Sequence, residues 1–247
     1  MKPIAIIPAR FASTRLPGKP LLNIGGIPMI VRVMKNVEQS QLFSRVIIAT
    51  DHLEIQKLVE SSGGEAMMTL ESHQNGTDRM AEVVQAHGLQ DQAIVNVQGD
   101  EPFLSYDILS HVVQMLQNDP FDIVTASEAI HEEDVYRNPN SVKVVFDRSH
   151  RALYFSRSPI PCYRDGEIPE KNVAWKHLGI YGFKPYLFDR LSNLQPSRLE
   201  EAEKLEQLRW LEHGLSIGVA TPQNTFSIAI DTPEDLIKAE LHWKGLQ

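Results

Sequence analysis

The sequence predicts an α/β fold with a mainly parallel sheet and an antiparallel excursion in the second half of the chain. Apolar runs typical of buried strands alternate with segments whose apolar residues recur at helical spacing, beginning with Ile4 to Ile7 and the helix that follows Pro28. This alternation favours right-handed crossovers between parallel strands. In the second half, the runs "SVKVVF" and "ALYFS" flank "DRSHR" and indicate a hairpin. Ligands of parallel sheets collect outside the carboxyl ends of the strands, so we expect the functional residues there.

The remaining elements follow in order along the chain. The predicted strands are Arg45 to Thr50, "EAMMT", Ala93 to Val97, "SIGVAT" and "FSIAI". The predicted helices are His52 to Ser61, about Thr77 to His87, Leu199 to about His213, and a last helix with Thr232 as N-cap, Pro233 first and Asp235 completing a capping-box-like start. No repeat or low-complexity tract divides the sequence, so we predict one domain over residues 1–247, with an antiparallel sub-region at about 140–190.

Composition excludes several classes of function. The 247 residues carry 24 Lys and Arg against 32 Asp and Glu, a formal charge of −8, which argues against a nucleic-acid-binding or anionic-membrane surface. The one cysteine, Cys162, excludes an intramolecular disulfide and a multi-cysteine zinc site, and it suits a reducing compartment. The start "MKPIAIIPAR" is too short in apolar residues for a signal segment, and no run approaches a membrane span. We therefore expect a cytoplasmic protein with no membrane partner.

The loop after the first strand, "IPARFASTRLPGKPL", places the cations Arg10, Arg15 and Lys19 in one short connection. It matches neither the dinucleotide fingerprint nor the P-loop pattern, because Pro20 follows Gly18-Lys19. Small residues in the loop would let its backbone N–H groups approach an anion: Ala9, Ala12, Ser13 and Gly18. We interpret the loop as a phosphate-binding site, and the alternative is a solvated basic turn.

A second polar motif, "VNVQGDEP", places Gln98 and Asp100 just beyond a predicted strand. Mg²⁺ prefers oxygen ligands and commonly uses one or two protein carboxylates together with substrate phosphates. The sequence therefore predicts Asp100 as a magnesium ligand.

The opening loop "PARFASTRLPGKPL" resembles the signature of the cytidylyltransferases that activate acidic sugars. Seven further blocks are similar to that family's blocks in the same order: "ATDHLEI", "HQNGTDRMAEVV", "VNVQGDEPF", "YFSRSPIP", "KHLGIYGF", "LEQLRWLEHG" and "IDTPEDL". "HLGIYGF" and "LEQLR" point to the 3-deoxy-D-manno-octulosonate (Kdo) branch, the CMP-Kdo synthetase family. The resemblance implies a Rossmann-like three-layer α/β/α nucleotidyltransferase fold and a homodimer. It also implies the conversion of CTP and Kdo, an acidic eight-carbon sugar, to CMP-Kdo and pyrophosphate for lipopolysaccharide synthesis.

The resemblance also implies roles for individual residues. Arg10, Arg15 and Lys19 would stabilise the negative charge that develops on the departing pyrophosphate, with Arg10, Lys19 and Asp100 catalytic. The family pattern pairs Asp231 with Asp100 on the Mg²⁺ ion, which would lower the pKa of the attacking sugar hydroxyl. The alternative for Asp231 is helix capping alone.

Cytosine must be read by groups outside the phosphate loop, and the candidates are Gln98 and the segment "HQNGTDR". There the family's usual Ser-Gly-Thr-Glu-Arg is altered, because Asn75 and Asp78 replace Ser and Glu. The segment has a second interpretation as a helix start capped by Thr77. The full predicted nucleotide-binding set is Ala9, Arg10, Ser13, Arg15, Lys19, Asn75, Gly76, Thr77, Arg79 and Gln98.

The family's sugar-side blocks match Arg157, His177, Tyr181, Glu206 and Gln207. Each has a plainer alternative: His177 as a structural histidine, Tyr181 as half-buried packing, and Glu206 as part of a solvated helix face. Two further functions stay open from the sequence. One is a cytidylyltransferase for sialic acid or an amino-substituted Kdo, and the other is a non-catalytic nucleotide-binding protein.

Overall fold

A computed structural model describes residues 1–12, 16–73, 75–164 and 174–245, and its strands alternate with helices along most of the chain. The strands are β1 (Ile4–Ala9), β2 (Asn23–Ile24), β3 (Ile27–Pro28), β4 (Arg45–Thr50), β5 (Glu65–Met68), β6 (Ile94–Asn96), β7 (Ile123–Ala129), β8 (Lys143–Phe146), β9 (Ala152–Ser156), β10 (Trp175–Phe183) and β11 (Ile217–Ala220). The helices are α1 (Met29–Gln39), α2 (Leu53–Ser61), α3 (Gly76–Ala86), α4 (Tyr106–Asn118), α5 (Glu133–Arg137), α6 (Phe188–Leu191), α7 (Arg198–Glu203), α8 (Glu206–Glu212) and α9 (Pro233–Gly245).

Contacts divide the chain into two compact units, and the first is built from both ends of the sequence. It comprises Met1–Leu109 and Phe226–Gln247. Its strand β1 pairs in parallel with β4 and with β6, and β4 pairs in parallel with β5. The carboxyl ends of β1, β4 and β6 therefore lie at the same edge, where a parallel sheet is expected to bind its ligand.

The core of the first unit explains why its strands were readable from the sequence. Ile4, Ile6 and Ile7 of β1 are buried, and so are Met29 and Val33 of α1. A parallel strand covered on both faces gives a continuous apolar run, whereas a helix covered on one face gives apolar residues at helical spacing. The predicted strands and helices of this half of the chain are confirmed within one or two residues.

Helix α9 brings the end of the chain back onto the first unit. The indole of Trp243 packs so closely on Gly25 that a Cβ there would lie 2.0 Å from it, and Gly25 has a positive φ of 56°. The guanidinium of Arg32 lies 3.9 Å above the same indole, a cation–π contact. Glu240 of α9 also accepts a hydrogen bond from the Gly25 N–H at 2.9 Å. These contacts anchor α9 on the β2–β3 hairpin.

The second unit, Ser110–Thr225, contains the predicted antiparallel excursion. Strand β7 pairs in parallel with β11 and antiparallel with β10, while β8 pairs antiparallel with β10 and β9. The register of β7 with β10 shifts between Leu178 and Tyr181, which marks a bulge. The predicted hairpin of "SVKVVF" and "ALYFS" is confirmed as β8 and β9.

Two predicted elements are wrong. The helix expected from Leu199 to His213 is broken into α7 and α8, with Lys204 between them in the left-handed region (φ 54°). Arg157 Nε donates to the Glu203 carbonyl at 2.7 Å, and the Arg157 N–H donates to the Glu203 carboxylate at 2.9 Å. These tertiary bonds take the place of the helical bond that would continue α7.

The run "FSIAI" forms no strand. Its backbone makes isolated bonds instead of a ladder: Ser105 donates to the Phe226 carbonyl at 3.0 Å, and Ile230 donates to the Asp100 carbonyl at 3.0 Å. The start of the last helix is confirmed, because Thr232 and Asp235 exchange capping bonds and Pro233 is the first helical residue.

Within the described ranges, no helix is long and apolar enough to cross a membrane. The contacts divide the chain into two compact units, and the single domain over residues 1–247 stays a prediction.

Candidate active site

A cavity of about 470 Å³ opens at the carboxyl edge of the parallel strands in the first unit. The end of β1, the short 3-10 turn at Lys19–Leu21, the start of α3, the turn after β6 and the residue before the α9 cap all contribute to its wall. The lining residues are Pro8, Ala9, Arg10, Ala12, Lys19, Pro20, Gly76, Gln98, Gly99, Asp100 and Asp231. The edge predicted for ligand binding is thus the edge that carries the cavity.

The ammonium of Lys19 joins three parts of this wall. It donates to Asp100 Oδ2 at 2.7 Å, to Asp231 Oδ1 at 3.1 Å and to the carbonyl of Ile230 at 2.9 Å. Burial lowers the pKa of Lys19, but the charges and hydrogen bonds of Asp100 and Asp231 outweigh this effect and raise that pKa above its ordinary value. The ammonium is therefore charged at neutral pH, with both carboxylates beside it.

The loop backbone explains how Lys19 reaches this position. Gly18 adopts the left-handed region with φ 65°, and the 3-10 turn begins at the next residue. Pro20 is buried and suits the first turn, where a missing N–H costs nothing. The sequence "LPGKPL" thus turns the chain sharply and directs the Lys19 side chain into the cavity wall.

Two glycines allow the other walls to approach the end of β1. A Cβ on Gly99 would lie 2.6 Å from the carbonyl oxygen of Pro8, and a Cβ on Gly76 would lie 3.3 Å from the Pro8 ring. Sequence reasoning missed Gly99, although a glycine directly between Gln98 and Asp100 was the signal of a close backbone approach. The cavity therefore depends on backbone contacts that side-chain motifs do not reveal.

The two carboxylates fit a divalent cation. Among the residues that the structure describes, no group of three or more His, Cys, Asp or Glu side chains could hold a metal ion alone. Asp100 and Asp231 nevertheless contact one and the same cationic group, so both can balance a single positive charge. Mg²⁺ is commonly bound by one or two carboxylates that share it with water and substrate phosphates, and this donor set suits it.

Several of the predicted nucleotide residues meet at the cavity, whereas the described residues Asn75, Thr77 and Arg79 are not among those that line it. Ala9, Arg10, Lys19, Gly76 and Gln98 line it. Ser13 and Arg15 lie outside the described residues.

The residue that caps the start of α3 differs from the one that the sequence predicted. Asn75, and not Thr77, is its N-cap, because Asn75 Oδ1 accepts the N–H of Asp78 at 2.7 Å. The side chain of Arg79 is fully buried and its guanidinium binds Asp51 at 2.8 Å. The side-chain oxygen of Asn75 thus caps the helix, and Arg79 does not line the cavity.

In the second unit, three of the predicted sugar-side residues lie together. The rings of His177 and Tyr181 have centroids 5.3 Å apart, and burial followed by the charge of Glu206 raises the pKa of Tyr181 well above its ordinary value. Although His177 retains part of its surface, burial lowers its pKa to about 3, and its Nε2 shares a hydrogen bond of 2.9 Å with Thr125. His177 is therefore neutral at physiological pH.

The other two predicted sugar-side residues differ in their surroundings, since Arg157 bonds to backbone carbonyls and Gln207 is buried. Arg157 donates to the carbonyls of Glu203 and Pro139 at 2.7 and 3.0 Å. Gln207 follows Glu206 in the first turn of α8 and is buried. Arg157 is thus the residue that ends α7, and its guanidinium keeps only part of its bonding capacity for a ligand.

The chain is similar to known proteins over nearly its whole length. Residues 4–217 match the family model described as cytidylyltransferase. A curated 3-deoxy-manno-octulosonate cytidylyltransferase of Thermodesulfovibrio yellowstonii is 44% identical over 249 residues, which is 97% of each chain.

Two solved structures extend the comparison. A CMP:2-keto-3-deoxy-manno-octonic acid synthetase complexed with CTP superposes with a TM-score of 0.92 at 37% identity, covering 100% of both chains. A 4-diphosphocytidyl-2C-methyl-D-erythritol synthase from Anaerococcus prevotii has a TM-score of 0.64 at 16% identity, covering 98% of this chain and 99% of that one, and it shows a likeness of fold alone. The predicted α/β fold is confirmed by these likenesses.

Proposed function

This chain belongs to the cytidylyltransferase family, and we propose that it transfers the CMP group of CTP to Kdo, giving CMP-Kdo and pyrophosphate. The observation that carries the proposal is the cluster of Lys19, Asp100 and Asp231 on the wall of a cavity of about 470 Å³. A cation between two carboxylates, at the edge where parallel strands end, is suited to a reaction between anionic substrates. The acidic sugar and the nucleotide come from the whole-length likeness to Kdo cytidylyltransferases.

The cations on the cavity wall act on the leaving group. The anomeric hydroxyl of the sugar attacks the α-phosphorus of CTP, an O–P bond forms, the bond to pyrophosphate breaks, and the hydroxyl proton is released. Negative charge grows on the pyrophosphate as that bond breaks, and fixed cations there stabilise the transition state more than the ground state. Arg10 and Lys19 are the described residues that we assign to this role, and the sequence adds Arg15.

Asp100 and Asp231 hold the magnesium ion in this proposal. A bound Mg²⁺ would supply positive charge to the reaction and would lower the pKa of the sugar hydroxyl. The protein's own part is to keep two carboxylates beside one positive charge, which Ile230 supports by accepting from Lys19 at 2.9 Å and by donating its N–H to the Asp100 carbonyl.

We assign recognition of the cytosine to Gln98 and to the start of α3. Gln98 lines the cavity and carries both donor and acceptor atoms, and Gly76 brings the helix start against the end of β1. A site that hydrogen-bonds one base leaves polar groups unpaired with another, so CTP should be preferred over ATP and GTP.

We assign the sugar to His177, Tyr181, Glu206, Gln207 and Arg157. A neutral His177 and a protonated Tyr181 offer hydrogen bonds without charge, which suits the many hydroxyls of Kdo. Arg157 is the cation of this set and suits the sugar carboxylate. We further propose that the enzyme is a homodimer in the cytoplasm and that CMP-Kdo serves lipopolysaccharide synthesis, as the family resemblance implies.

The test is to incubate the purified protein with CTP, MgCl₂ and Kdo, and to measure CMP-Kdo by anion-exchange chromatography and pyrophosphate by a coupled assay. Parallel reactions replace Kdo with N-acetylneuraminic acid or 8-amino-Kdo, replace CTP with ATP or GTP, or add excess EDTA. We expect product with CTP and Kdo, a much lower rate with either purine nucleotide, and no product with EDTA. CTP binding without turnover of any of the three sugars would instead indicate a non-catalytic nucleotide-binding protein.

A further inference from the structure

Two side chains that follow β4 hold the backbone just after β1. Asp51 Oδ1 accepts the N–H of Phe11 at 3.0 Å. The ring of His52 stacks on the Phe11 ring with the centroids 3.8 Å apart and the planes 11° apart. Phe11 is the next residue after Arg10, which lines the cavity. One residue of the loop is thus fixed through both its backbone and its side chain.

The partner on the other side of Asp51 is a fully buried arginine. Asp51 Oδ2 accepts from the Arg79 guanidinium at 2.8 Å, and the Arg79 side chain is 0% exposed. The same guanidinium donates to the hydroxyl of Thr69, which in turn donates to the Thr50 carbonyl at 3.0 Å. Because the planar guanidinium donates to both Asp51 and Thr69, this buried cation holds the Asp51 carboxylate in one orientation.

Phe11 also contacts the far end of the same loop. Its carbonyl accepts the N–H of Gly18 at 3.3 Å. Its ring lies 3.8 Å from the position that a Cβ on Gly18 would occupy. Because Lys19 follows Gly18, a residue that is held by Asp51 and His52 contacts the chain next to both Arg10 and Lys19.

We infer that Asp51 and His52 are positioning residues that set the phosphate-binding loop before the nucleotide arrives. Arg79 belongs to this arrangement as the buried anchor of Asp51, a different role from the nucleotide contact predicted from the sequence. The inference rests on the proposed function, because the loop has to bind a triphosphate for its position to matter. Prior ordering lowers the entropy cost of binding, so its loss weakens CTP binding and leaves the sugar site unaffected.

The decisive variants change the stack alone. His52→Leu removes the aromatic face at similar volume, and His52→Phe keeps the face and removes the imidazole. His87→Leu is the matched control, since His87 is exposed at the end of α3 and away from the cavity. For each protein we measure kcat, the KM for CTP, the KM for Kdo and the melting temperature.

The expected result is a KM for CTP raised about three- to tenfold in His52→Leu, the range that a lost aromatic stack implies. The KM for Kdo should stay at the wild-type value, and His52→Phe should recover most of the CTP affinity. A wild-type KM for CTP in His52→Leu would overturn the inference. A raised KM that His52→Phe does not restore would overturn it as well, because the imidazole itself would then contact the nucleotide. Should His52→Leu fail to fold, Phe11→Leu removes the same stack from its other side.

A second readout does not depend on turnover. Trypsin cleaves after arginine, so the rate at which it cuts the Arg10–Phe11 bond, followed by mass spectrometry, reports how firmly Phe11 is held. We expect faster cleavage in His52→Leu than in His87→Leu, and a wild-type rate in His52→Phe. Equal rates in all of these proteins would refute the positioning role even if the wild type proved unable to convert CTP, and an inactive wild type with the expected cleavage pattern would refute only the proposed function.

Discussion

Replacing Lys19 with methionine should nearly abolish activity at little cost in stability. Methionine keeps most of the length and the apolar stem of the side chain and removes the charge. The variant therefore tests the ammonium that donates to Asp100 at 2.7 Å and to Asp231 at 3.1 Å. The free energy of unfolding and the rate should respond very differently, because the same charge acts in two settings.

The stability cost follows from the exposure of the partners. Lys19 is 16% exposed, but Asp100 is 27% and Asp231 is 47% exposed, so solvent screens both ion pairs. Partly exposed pairs contribute roughly 0.2–1 kcal/mol, and removing the lysine also removes the unfavourable burial of its ammonium. We therefore expect the free energy of unfolding to fall by about 1 kcal/mol or less.

The catalytic cost should be several times larger. A preorganised donor at a site of developing charge typically accounts for about 10²–10³ in kcat, or roughly 3–4 kcal/mol of the activation free energy. Pyrophosphate release under saturating CTP and Kdo measures kcat, and thermal or urea unfolding measures stability. Lys35→Met is the matched control, because Lys35 is exposed on α1 and does not line the cavity.

The raised pKa of Lys19 also determines how the stability difference between wild type and Lys19→Met depends on pH. The folded-state pKa of Lys19 lies above its ordinary value of 10.5, so its stabilising contribution is complete below that pH and is lost only as the pH rises through the folded-state pKa. The stability gap between wild type and Lys19→Met should thus stay constant from about pH 7 to 9. A Lys19→Met enzyme with wild-type kcat would refute the role given to this cation, and so would a loss of activity that merely follows a loss of folded protein.

Three further predictions concern other parts of the molecule. Asp100→Asn and Asp231→Asn should each lower kcat by more than about 10²-fold at ordinary magnesium. A wild-type kcat in Asp231→Asn would show that Asp231 has no role in catalysis and only precedes the helix cap. Gly99→Ala should lower kcat/KM at least about tenfold, because the new Cβ would lie 2.6 Å from the carbonyl at the end of β1, whereas Gly245→Ala, which meets nothing within 4 Å, should retain wild-type activity. Burial lowers the pKa of His177 to about 3, so the folded protein binds a proton there less readily than the unfolded chain does. Between pH 6.5 and 5, the free energy of unfolding in urea should therefore fall by at most about 2 kcal/mol more in the wild type than in His177→Gln. Equal losses in the two proteins would contradict the burial of this imidazole.

Much of the fold could be predicted because local pattern and tertiary environment agree. Strand β4 was predicted with its observed bounds, Arg45–Thr50, because it is covered on both faces and its inner residues are all apolar. The start of α9 was predicted from its capping residues alone. Strand β7 was not predicted, since its sequence "IVTASEA" buries Thr125 and Ser127, and polar residues in a buried strand hide the apolar pattern.

The candidate site was predictable in its residues but not in its contacts. Lys19 and Asp100 were marked by their positions after predicted strands, and Asp231 was marked by the family resemblance. Asp100 is 81 residues and Asp231 is 212 residues from Lys19 in the sequence, and no local pattern shows that the three side chains meet. Arg79 shows the opposite limit, because its motif suggested a ligand contact and only the fold reveals that its charge is balanced by Asp51 inside the protein.

The first unit is completed by a segment that is synthesised after the second unit. Residues from 226 onward leave the ribosome only after all of the second unit, so a growing chain exposes Gly25 without Trp243 and presents Lys19 and Asp100 without Asp231. Nascent proteins generally fold from the N-terminal domain onward, but here the first unit lacks the contacts of α9 until that helix has been synthesised. A messenger cut short at any point before this segment therefore yields a polypeptide that lacks one of the two carboxylates beside Lys19. The cavity wall is complete only once Asp231 has been synthesised.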